Sequence, residues 1–285
     1  MVPRRWLALA VLLVWGATLG WHVKRLYFRP LETLLAQAAR TIPPGVAYYA
    51  VFQGDRRIGW AQTEIDTLPD ASGFTIRDRL TLTRALVPGT EPLSMDVTAR
   101  LGSTLALRTF RADVTGIPGI RSVEGEVHGD SLVDFTVRDE GEGQRSRVPL
   151  REPIVLAAAW PLRLAAQGDL EPGDRLRLNM FDPITATSMP VDLTILAYEQ
   201  KTYPDSVIAL GGLWVAARED TVGAWWVEQE MAGVRLKSWV DEDGRLLIAE
   251  APGELRLERT AFEFAFFGDS VPTELPGRSG RGPMP

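Results

Sequence analysis

The sequence predicts a mainly β protein: a curved antiparallel sheet or half-barrel with one covering helix, preceded by an N-terminal transmembrane helix. Two observations predict the sheet. Short runs alternate apolar and polar residues, as in strands with one buried face. Turn-forming sequences such as PDASG, IPGI and EPGD separate these runs at short intervals. A third observation, an uncharged apolar run over 6–23, predicts the membrane helix.

The apolar run 6–23 is long enough, at about 1.5 Å per residue, to cross a hydrocarbon core roughly 30 Å thick. It follows a short basic tail, residues 1–5, as export signals do. Bulky residues near its end disfavour cleavage, so we expect an uncleaved signal-anchor, with removal as a signal peptide as the alternative. Basic residues after the run outnumber those before it, which taken alone would keep the C-terminal side in the cytoplasm. Long domains translocate largely regardless of charge. We therefore expect a single-pass protein of a bacterial inner membrane with a periplasmic main domain.

Residues 24–44 are predicted to form a stem helix and a linker. Within RPLETLLAQAAR, one helical face collects the apolar residues Leu31, Leu34, Leu35 and Ala38. The sequence TIPPG ends this helix. A β-rich extracytoplasmic domain is expected over 45–267, and the tail 268–285, rich in Pro and Gly, is expected to be disordered.

Three segments of the domain show strand alternation most clearly: FTIRDRLTL, DRLRLNM and GELRLER. Their apolar faces are predicted to carry Phe74, Ile76, Leu80 and Leu82, then Leu176, Leu178 and Met180, then Leu255 and Leu257. The segment from Pro153 to Gly168 lacks alternation and is rich in Ala and Leu, which favours a helix broken or restarted near Pro161. No flexible linker divides the strands, so we expect one continuous sheet partly covered by this helix.

Three consecutive acids, Asp241, Glu242 and Asp243, form either a metal or proton site or a simple turn. An EF-type calcium loop needs acids at alternate positions, Gly at the sixth position and Glu at the twelfth. Here Gly244 is fourth, and Pro252 stands at the twelfth position. Apolar runs on both sides instead predict a hairpin whose turn uses the positive φ of the glycine.

Composition argues against several classes of function. A net charge of -6 disfavours nucleic acid as a partner, and the absence of Cys removes thiol chemistry. The only histidines, His22 and His128, form no cluster for a zinc site or a triad. Two pairs of glutamates share a strand face, Glu124 with Glu126 and Glu228 with Glu230. Their alternation is typical of a solvated face, so we expect a non-enzymatic protein without metal or cofactor, with a carboxylate-pair enzyme ranked third.

Aromatic residues supply the candidate ligand site. The stretch AFEFAFF is predicted to be a strand with its rings on one face, and core packing is the first interpretation of such residues. The alternative is that aromatic residues line a groove for a hydrophobic ligand on the concave side of the sheet. This candidate site comprises Trp60, Trp214, Trp225, Trp226, Phe262, Phe264 and Phe266. Adjacent residues on a strand face opposite ways, so either Trp225 or Trp226 should be exposed.

Three stretches also carry a family resemblance: YYAVFQGDRRIGWAQTEI, LEPGDRLRLNMFDPITATSMPVDLTIL and VRLKSWVDEDGRLLIAEAPGELRLERT. They resemble uncharacterised β-rich envelope domains of bacteria that accompany, or are fused to, transglutaminase-like proteases. Those domains are similar to the half-barrel of the lipoprotein carriers LolA and LolB. The resemblance covers about residues 45–262 and implies a fold and a compartment. It implies no functional residue, because the chain lacks the Cys of a transglutaminase and of a lipoprotein anchor.

Two functions follow as expectations. The first is a membrane-anchored binding module that holds a lipid, an acyl chain or another hydrophobic ligand in the curve of its sheet. The second is an accessory or scaffold protein that docks an envelope partner, such as a transglutaminase-like protease, through an exposed edge or through Trp225 and Trp226.

Overall fold

The computed structural model describes residues 35–37, 41–69, 72–85, 91–129, 132–139, 141, 143–150, 152–185 and 187–268. These residues form fifteen strands, two short α-helices and one helical turn at 35–37. The strands are β1 Gly45–Gln53, β2 Arg56–Thr67, β3 Gly73–Leu82, β4 Ser94–Gly102, β5 Leu107–Thr115, β6 Ser122–His128, β7 Leu132–Arg138, β8 Gln144–Pro149, β9 Ile154–Leu156, β10 Arg175–Asp182, β11 Thr187–Leu210, β12 Leu213–Met231, β13 Val234–Asp241, β14 Leu246–Ala251 and β15 Leu255–Thr260. A 3-10 turn, Ala157–Ala159, precedes helix α1, Trp160–Ala165, and helix α2, Phe262–Phe267, follows β15.

All fifteen strands belong to one sheet in the order β8-β7-β6-β5-β4-β3-β2-β1-β15-β14-β13-β12-β11-β10-β9. Neighbouring strands pair antiparallel, except that β9 runs parallel to β10. The pairing of β1 with β15 joins the first half of the chain to the second. The predicted single antiparallel sheet is therefore confirmed, with one parallel pair at its edge.

The sheet is curved but not closed, and β8 and β9 lie at its two edges. Strand β9 contacts β5, and the 3-10 turn contacts β3, so the second half of the sheet folds against the first. The main core contains Ile76 and Phe110 from the first half and Leu156 and Phe181 from the second. The Phe110 and Phe181 rings meet at 4.8 Å between centroids. We call the face that carries this core the inner face and the opposite face the outer face.

Strand alternation places the predicted apolar residues inward. In β3, Phe74, Ile76 and Leu82 are buried, while the intervening Arg77 and Arg79 share Asp96 on the outer face. Leu178 and Met180 of β10 belong to a second core cluster, and Leu255 and Leu257 of β15 pack against a smaller one. The period-2 pattern therefore predicts both the strands and their buried faces.

The segment predicted as a broken helix divides into three short elements. Strand β9 and the 3-10 turn come first, and α1 follows with Pro161 in its first turn. Proline is tolerated there because the first helical residues need no N–H donor. Trp160, Leu162 and Leu164 of α1 are buried, so this helix covers part of the inner face as expected.

The three consecutive acids form the predicted hairpin turn between β13 and β14. The N–H of Gly244 donates to the carbonyl of Asp241 at 3.0 Å, and the N–H of Arg245 donates to the Asp241 carboxylate at 2.7 Å. Gly244 has φ +74°, and a Cβ there would lie 2.7 Å from the Cα of Leu162 in α1. Arg259 completes the arrangement with a 2.9 Å ion pair to Asp241. The acids therefore turn the chain, as predicted.

The hairpin of β11 and β12 is longer than the sheet that supports it. Strand β10 pairs with β11 only as far as Thr194, and β13 pairs with β12 only from Ala224 onward. The unsupported part folds back over the outer face, where Tyr203 joins a buried cluster with Trp239 and Leu247. Its end, residues 207–217, is largely exposed.

The prediction of a strand for AFEFAFF is wrong, since this stretch forms helix α2. Phe262 and Phe266 are four residues apart, so a helix places them on one face. Both rings pack against Tyr48 of β1, at 5.2 and 6.0 Å between centroids, and Phe266 lies 4.3 Å from Trp60 of β2. Gly268, at φ +68°, ends the helix.

Only part of the predicted N-terminal region lies within the described residues. Residues 35–37 of the predicted stem are helical, and Leu35 is 1% exposed within the main core. The basic tail 1–5, the anchor 6–23 and the tail 269–285 lie outside the described residues. Within the part of the chain that the structure describes, no helix has the length and apolar character needed to cross a bilayer.

Candidate functional site

The inner face forms one wall of a partly open cavity of about 300 Å³, and this wall consists of β1 to β4 and β15. The connection 157–161 and the turn of Gly244 and Arg245 form its opposite wall. Most of its lining side chains are apolar, among them Ala61, Ile65, Leu80, Met95, Trp160 and Leu257. Apolar side chains therefore line most of this partly open space.

Three polar side chains form a connected group in this cavity: Tyr49 on β1, Thr63 on β2 and Asp78 on β3. Thr63 stands directly opposite Asp78 in the strand register, and its hydroxyl donates a hydrogen bond to the Asp78 carboxylate. The Tyr49 hydroxyl is hydrogen-bonded to Thr63.

Asp78 is a carboxylate with an incomplete set of partners. Burial raises its pKa to about 6, although the hydrogen bond from Thr63 opposes this shift. Protein surrounds Asp78, and the surface that it still exposes faces the cavity. No cation pairs with it among the described residues, and the adjacent Arg79 binds Asp96 at 3.1 Å instead. A carboxylate has about four acceptor sites, so most of the acceptor capacity of Asp78 is unused.

Two other charged or polar groups of the cavity are already engaged. The Arg245 guanidinium is directed to the carbonyls of Pro43 and Pro44, each at 3.4 Å. Tyr49 is 3% exposed, and burial raises the pKa of its hydroxyl well above its usual range. Tyr49 is therefore a neutral hydrogen-bonding group at physiological pH, which leaves Asp78 as the group able to bind a donor.

Comparison with known proteins yields structural similarity alone. No protein-family model and no curated protein matches the chain. A β-barrel-like protein of the domain of unknown function DUF1849 from Brucella abortus is 13% identical, with a TM-score of 0.48, over 76% of this chain and 94% of that one. A DUF1089 family protein from Pseudomonas aeruginosa is 14% identical, with a TM-score of 0.38, over 68% of this chain and 90% of that one. The link to transglutaminase-like proteases and to LolA and LolB stays a prediction.

The aromatic residues expected to line a concave groove lie elsewhere, and the cavity is lined by other residues. Trp60 precedes the cavity residue Ala61 on β2, so it faces the outer side, where it meets α2. Phe262 and Phe266 pack on the same outer surface, and Phe264 is half-buried in α2. These rings join α2 to the sheet.

The three remaining candidate tryptophans belong to the long hairpin. Trp225 packs against the second core cluster and lies 4.6 Å from Tyr198, whereas Trp226 stacks on Trp239 on the opposite face at 5.6 Å. Both rings are half-buried, so the expected exposure of one of them is not observed. The reason is that each face of β12 is covered locally. Trp214 lies opposite Ala209 near the end of the hairpin, and its indole N–H has no hydrogen-bond partner among the residues that the structure describes.

Sequence reasoning missed Asp78, although a signal for it was present. In FTIRDRLTL the inward positions are 74, 76, 78, 80 and 82, and an acid occupies the middle one. An ionisable residue on the buried face of a strand needs a partner or a function. Thr63 and Tyr49 gave no comparable signal, because both residue types are common on strands.

A second, more open groove of about 850 Å³ lies over β4 to β8 on the polar outer face. Two of its carboxylates are paired: Arg147 binds Asp134 at 2.6 and 2.8 Å, and Arg138 binds Glu124 at 2.7 Å. The hydrogen bonds from these arginines hold the pKa of each carboxyl below its usual range. A general acid needs a raised pKa, so neither of these two carboxyls is suited to that role. Among the described residues, no three His, Cys, Asp or Glu side chains cluster as metal ligands.

Proposed function

We propose that the protein binds a small hydrophobic ligand in the inner cavity and receives the ligand's hydrogen-bond-donating or cationic group at Asp78. One observation carries this proposal: a carboxylate without a cation beside it in the described structure faces a mostly apolar cavity. Ligand pockets combine mostly apolar walls with a few placed polar groups in the same way. A bound donor would supply the partner that the protein does not.

The cavity size limits the ligand. An engineered apolar cavity of about 150 Å³ holds benzene, with six carbon atoms. By that ratio a cavity of about 300 Å³ takes roughly a dozen non-hydrogen atoms. This corresponds to a chain of about eight carbons with its head group, or to one segment of a longer acyl chain.

The charge of Asp78 selects among head groups. Above pH 6 the carboxylate is ionised, and an ammonium group beside it would form an ion pair, while a second carboxylate would be repelled. An alcohol or amide would donate a hydrogen bond without the ionic contribution. We therefore expect the order amine, then alcohol, then carboxylate.

The proposed setting of this activity is the membrane, which is also a source of hydrophobic ligands. It rests on the apolar run 6–23 of the sequence. The alternative, docking of an envelope protein through Trp225 and Trp226, gains no support from their positions, since both rings are packed within the fold.

The test is a calorimetric titration of the full-length protein, held in amphipol at pH 8, with octylamine, octanol and octanoate. At about 0.8 kcal/mol for each buried methylene, octylamine should bind with a Kd on the order of 10–100 μM. We expect it to bind at least about tenfold more tightly than octanoate. The variant Asp78→Asn should lose this preference, and Asp113→Asn, an exposed acid of the outer face, should keep it.

The variant Ala61→Leu supplies the reference for non-specific uptake, because its larger side chain projects into the cavity. Equal binding by this variant and the wild type, for all three ligands, would contradict the proposal. If octanoate bound most tightly, the cavity would remain the binding site, but Asp78 would not be the residue that binds the head group of the ligand. Arg245 would then be the candidate for that role.

A further inference from the structure

The end of the β11–β12 hairpin is an apolar tip, defined as residues 207–217. Its sequence, VIALGGLWVAA, contains no charged, hydroxyl or amide side chain in eleven residues. Four of its large side chains are strongly exposed: Ile208 by 53%, Leu210 by 63%, Leu213 by 52% and Val215 by 41%. Exposed apolar groups concentrated in this way mark an interaction site.

Both faces of the tip are apolar. Ile208 pairs with Val215 and Leu210 with Leu213, which places these four side chains on one face. The other face carries Val207, Ala209, Trp214 and Ala216. A groove on a partner protein covers one face of a hairpin, whereas a lipid phase surrounds all of it. The all-round apolar character therefore favours lipid.

Charged residues begin abruptly behind the tip. Arg218 forms an ion pair with Asp205 across the hairpin, and Glu219 and Asp220 follow it. These residues form a polar collar at one level of the hairpin. An apolar end bounded by a charged collar matches the change from acyl chains to headgroups at a bilayer surface.

The dimensions and the backbone set the depth of insertion. The β11 arm of the tip has four strand residues, 207–210, and is therefore about 13 Å long at 3.3 Å per residue. Within the described residues, neither strand pairs with a third strand in this region, so the outward N–H and C=O groups need water or headgroups. The tip is thus suited to the interfacial zone and not to the centre of the bilayer.

The anchor predicted from the sequence would hold the domain close to the membrane. The apolar run ends at Val23, and Leu35, twelve residues later, is fixed in the core of the domain. Twelve residues span at most about 43 Å when extended. A domain tethered so closely to a bilayer presents its exposed tip to lipid at high local concentration.

From these observations we infer that residues 207–217 insert into the interfacial zone of a lipid bilayer and act as a second membrane contact beside the N-terminal anchor. The proposal does not depend on ligand binding in the inner cavity. It assigns the exposed apolar side chains of the hairpin to lipid contact.

The absence of cysteine allows a direct test with the full-length chain. Leu213→Cys is labelled with an environment-sensitive fluorophore and reconstituted into phosphatidylcholine vesicles that contain lipids with a quencher near the headgroup. Val148→Cys, on edge strand β8 and 37% exposed as valine, is the matched control. We expect quenching of about half or more at position 213, and of less than about a tenth at position 148. Adding Ile208→Ser and Leu210→Ser should reduce the quenching at position 213 at least about threefold.

Three results would overturn the inference: equal quenching at the two positions, no quenching at position 213, or failure of the protein to float with the vesicles. A label at position 213 that is shielded from aqueous iodide, but insensitive to quencher lipids, would assign the tip to a protein partner or to a second copy of the chain.

Discussion

Replacing Asp78 by Asn should stabilise the protein at neutral pH and leave its stability nearly unchanged at pH 4. Asn keeps an oxygen that accepts the Thr63 hydrogen bond, but it removes the charge that burial disfavours. The effect comes from the charged form alone, so its pH dependence is the diagnostic feature.

The size of this stabilisation follows from the shift in the pKa of Asp78. The pKa of Asp78 rises from 3.8 to about 6 on folding, so the folded state prefers the protonated acid. The wild type therefore loses stability as the pH rises from about 4 to about 6, and above that the loss is constant. Two pKa units correspond to about 3 kcal/mol. We expect Asp78→Asn to raise the free energy of unfolding by about 1–3 kcal/mol above pH 7. The lower value applies if water in the cavity hydrates the wild-type carboxylate. For a domain of this size the gain raises Tm by about 3–10 °C.

The assay is thermal and urea unfolding of the full-length protein at pH 4, 5, 6 and 7.5, followed by circular dichroism. Asp113→Asn is the control, because its carboxylate is exposed and its difference from the wild type should not vary with pH by more than about 0.5 kcal/mol. An equal difference between Asp78→Asn and the wild type at every pH would contradict this prediction, as would a lower stability of the variant at pH 7.5.

Three further substitutions test the packing. Arg259→Met leaves the buried Asp241 without its cation and should lower the free energy of unfolding, measured in urea, by about 3–5 kcal/mol. Arg111→Met, which removes an exposed ion pair, should lower it by less than about 1 kcal/mol. Gly244→Ala combines a positive φ with a clash against α1 and should cost about 3 kcal/mol, while Gly253→Ala, with a positive φ in open space, should cost about 1–2; similar losses would contradict the close approach. Ala61→Leu adds three carbons to the cavity and should raise the free energy of unfolding by about 1–2 kcal/mol while abolishing octylamine binding; a clear destabilisation would show that the space is not available.

Local features of this fold are predictable from sequence because their causes are local. The inward residues of β3 follow from period-2 alternation, and the acidic turn follows from the two apolar runs and Gly244. The alternation pattern gives the wrong prediction for stretch 261–267. Its alternate Phe residues fit a strand, whereas the spacing of Phe262 and Phe266 fits a helix. The surface offered by Tyr48 and Trp60 decides in favour of the helix.

Non-local features are not predictable in this way. The pairing of β1 with β15 joins segments about two hundred residues apart, and no local pattern specifies it. The cavity exists because the connection 157–161 lies at a distance from the strands that it faces. The alternation of apolar and polar residues along a strand carries no information about that distance. The inward position of Asp78 follows from alternation, whereas its lack of a cationic partner depends on side chains from both halves of the sheet.

The most direct test of ligand binding is native mass spectrometry of the full-length protein after gentle purification from membranes, with wild type and Ala61→Leu compared side by side. The account predicts that the wild type carries a bound molecule with a hydrophobic chain and a donor or amine group, lost on denaturation, and that Ala61→Leu carries none. A wild type that is free of any such molecule, or equal retention of it by Ala61→Leu, would contradict the account.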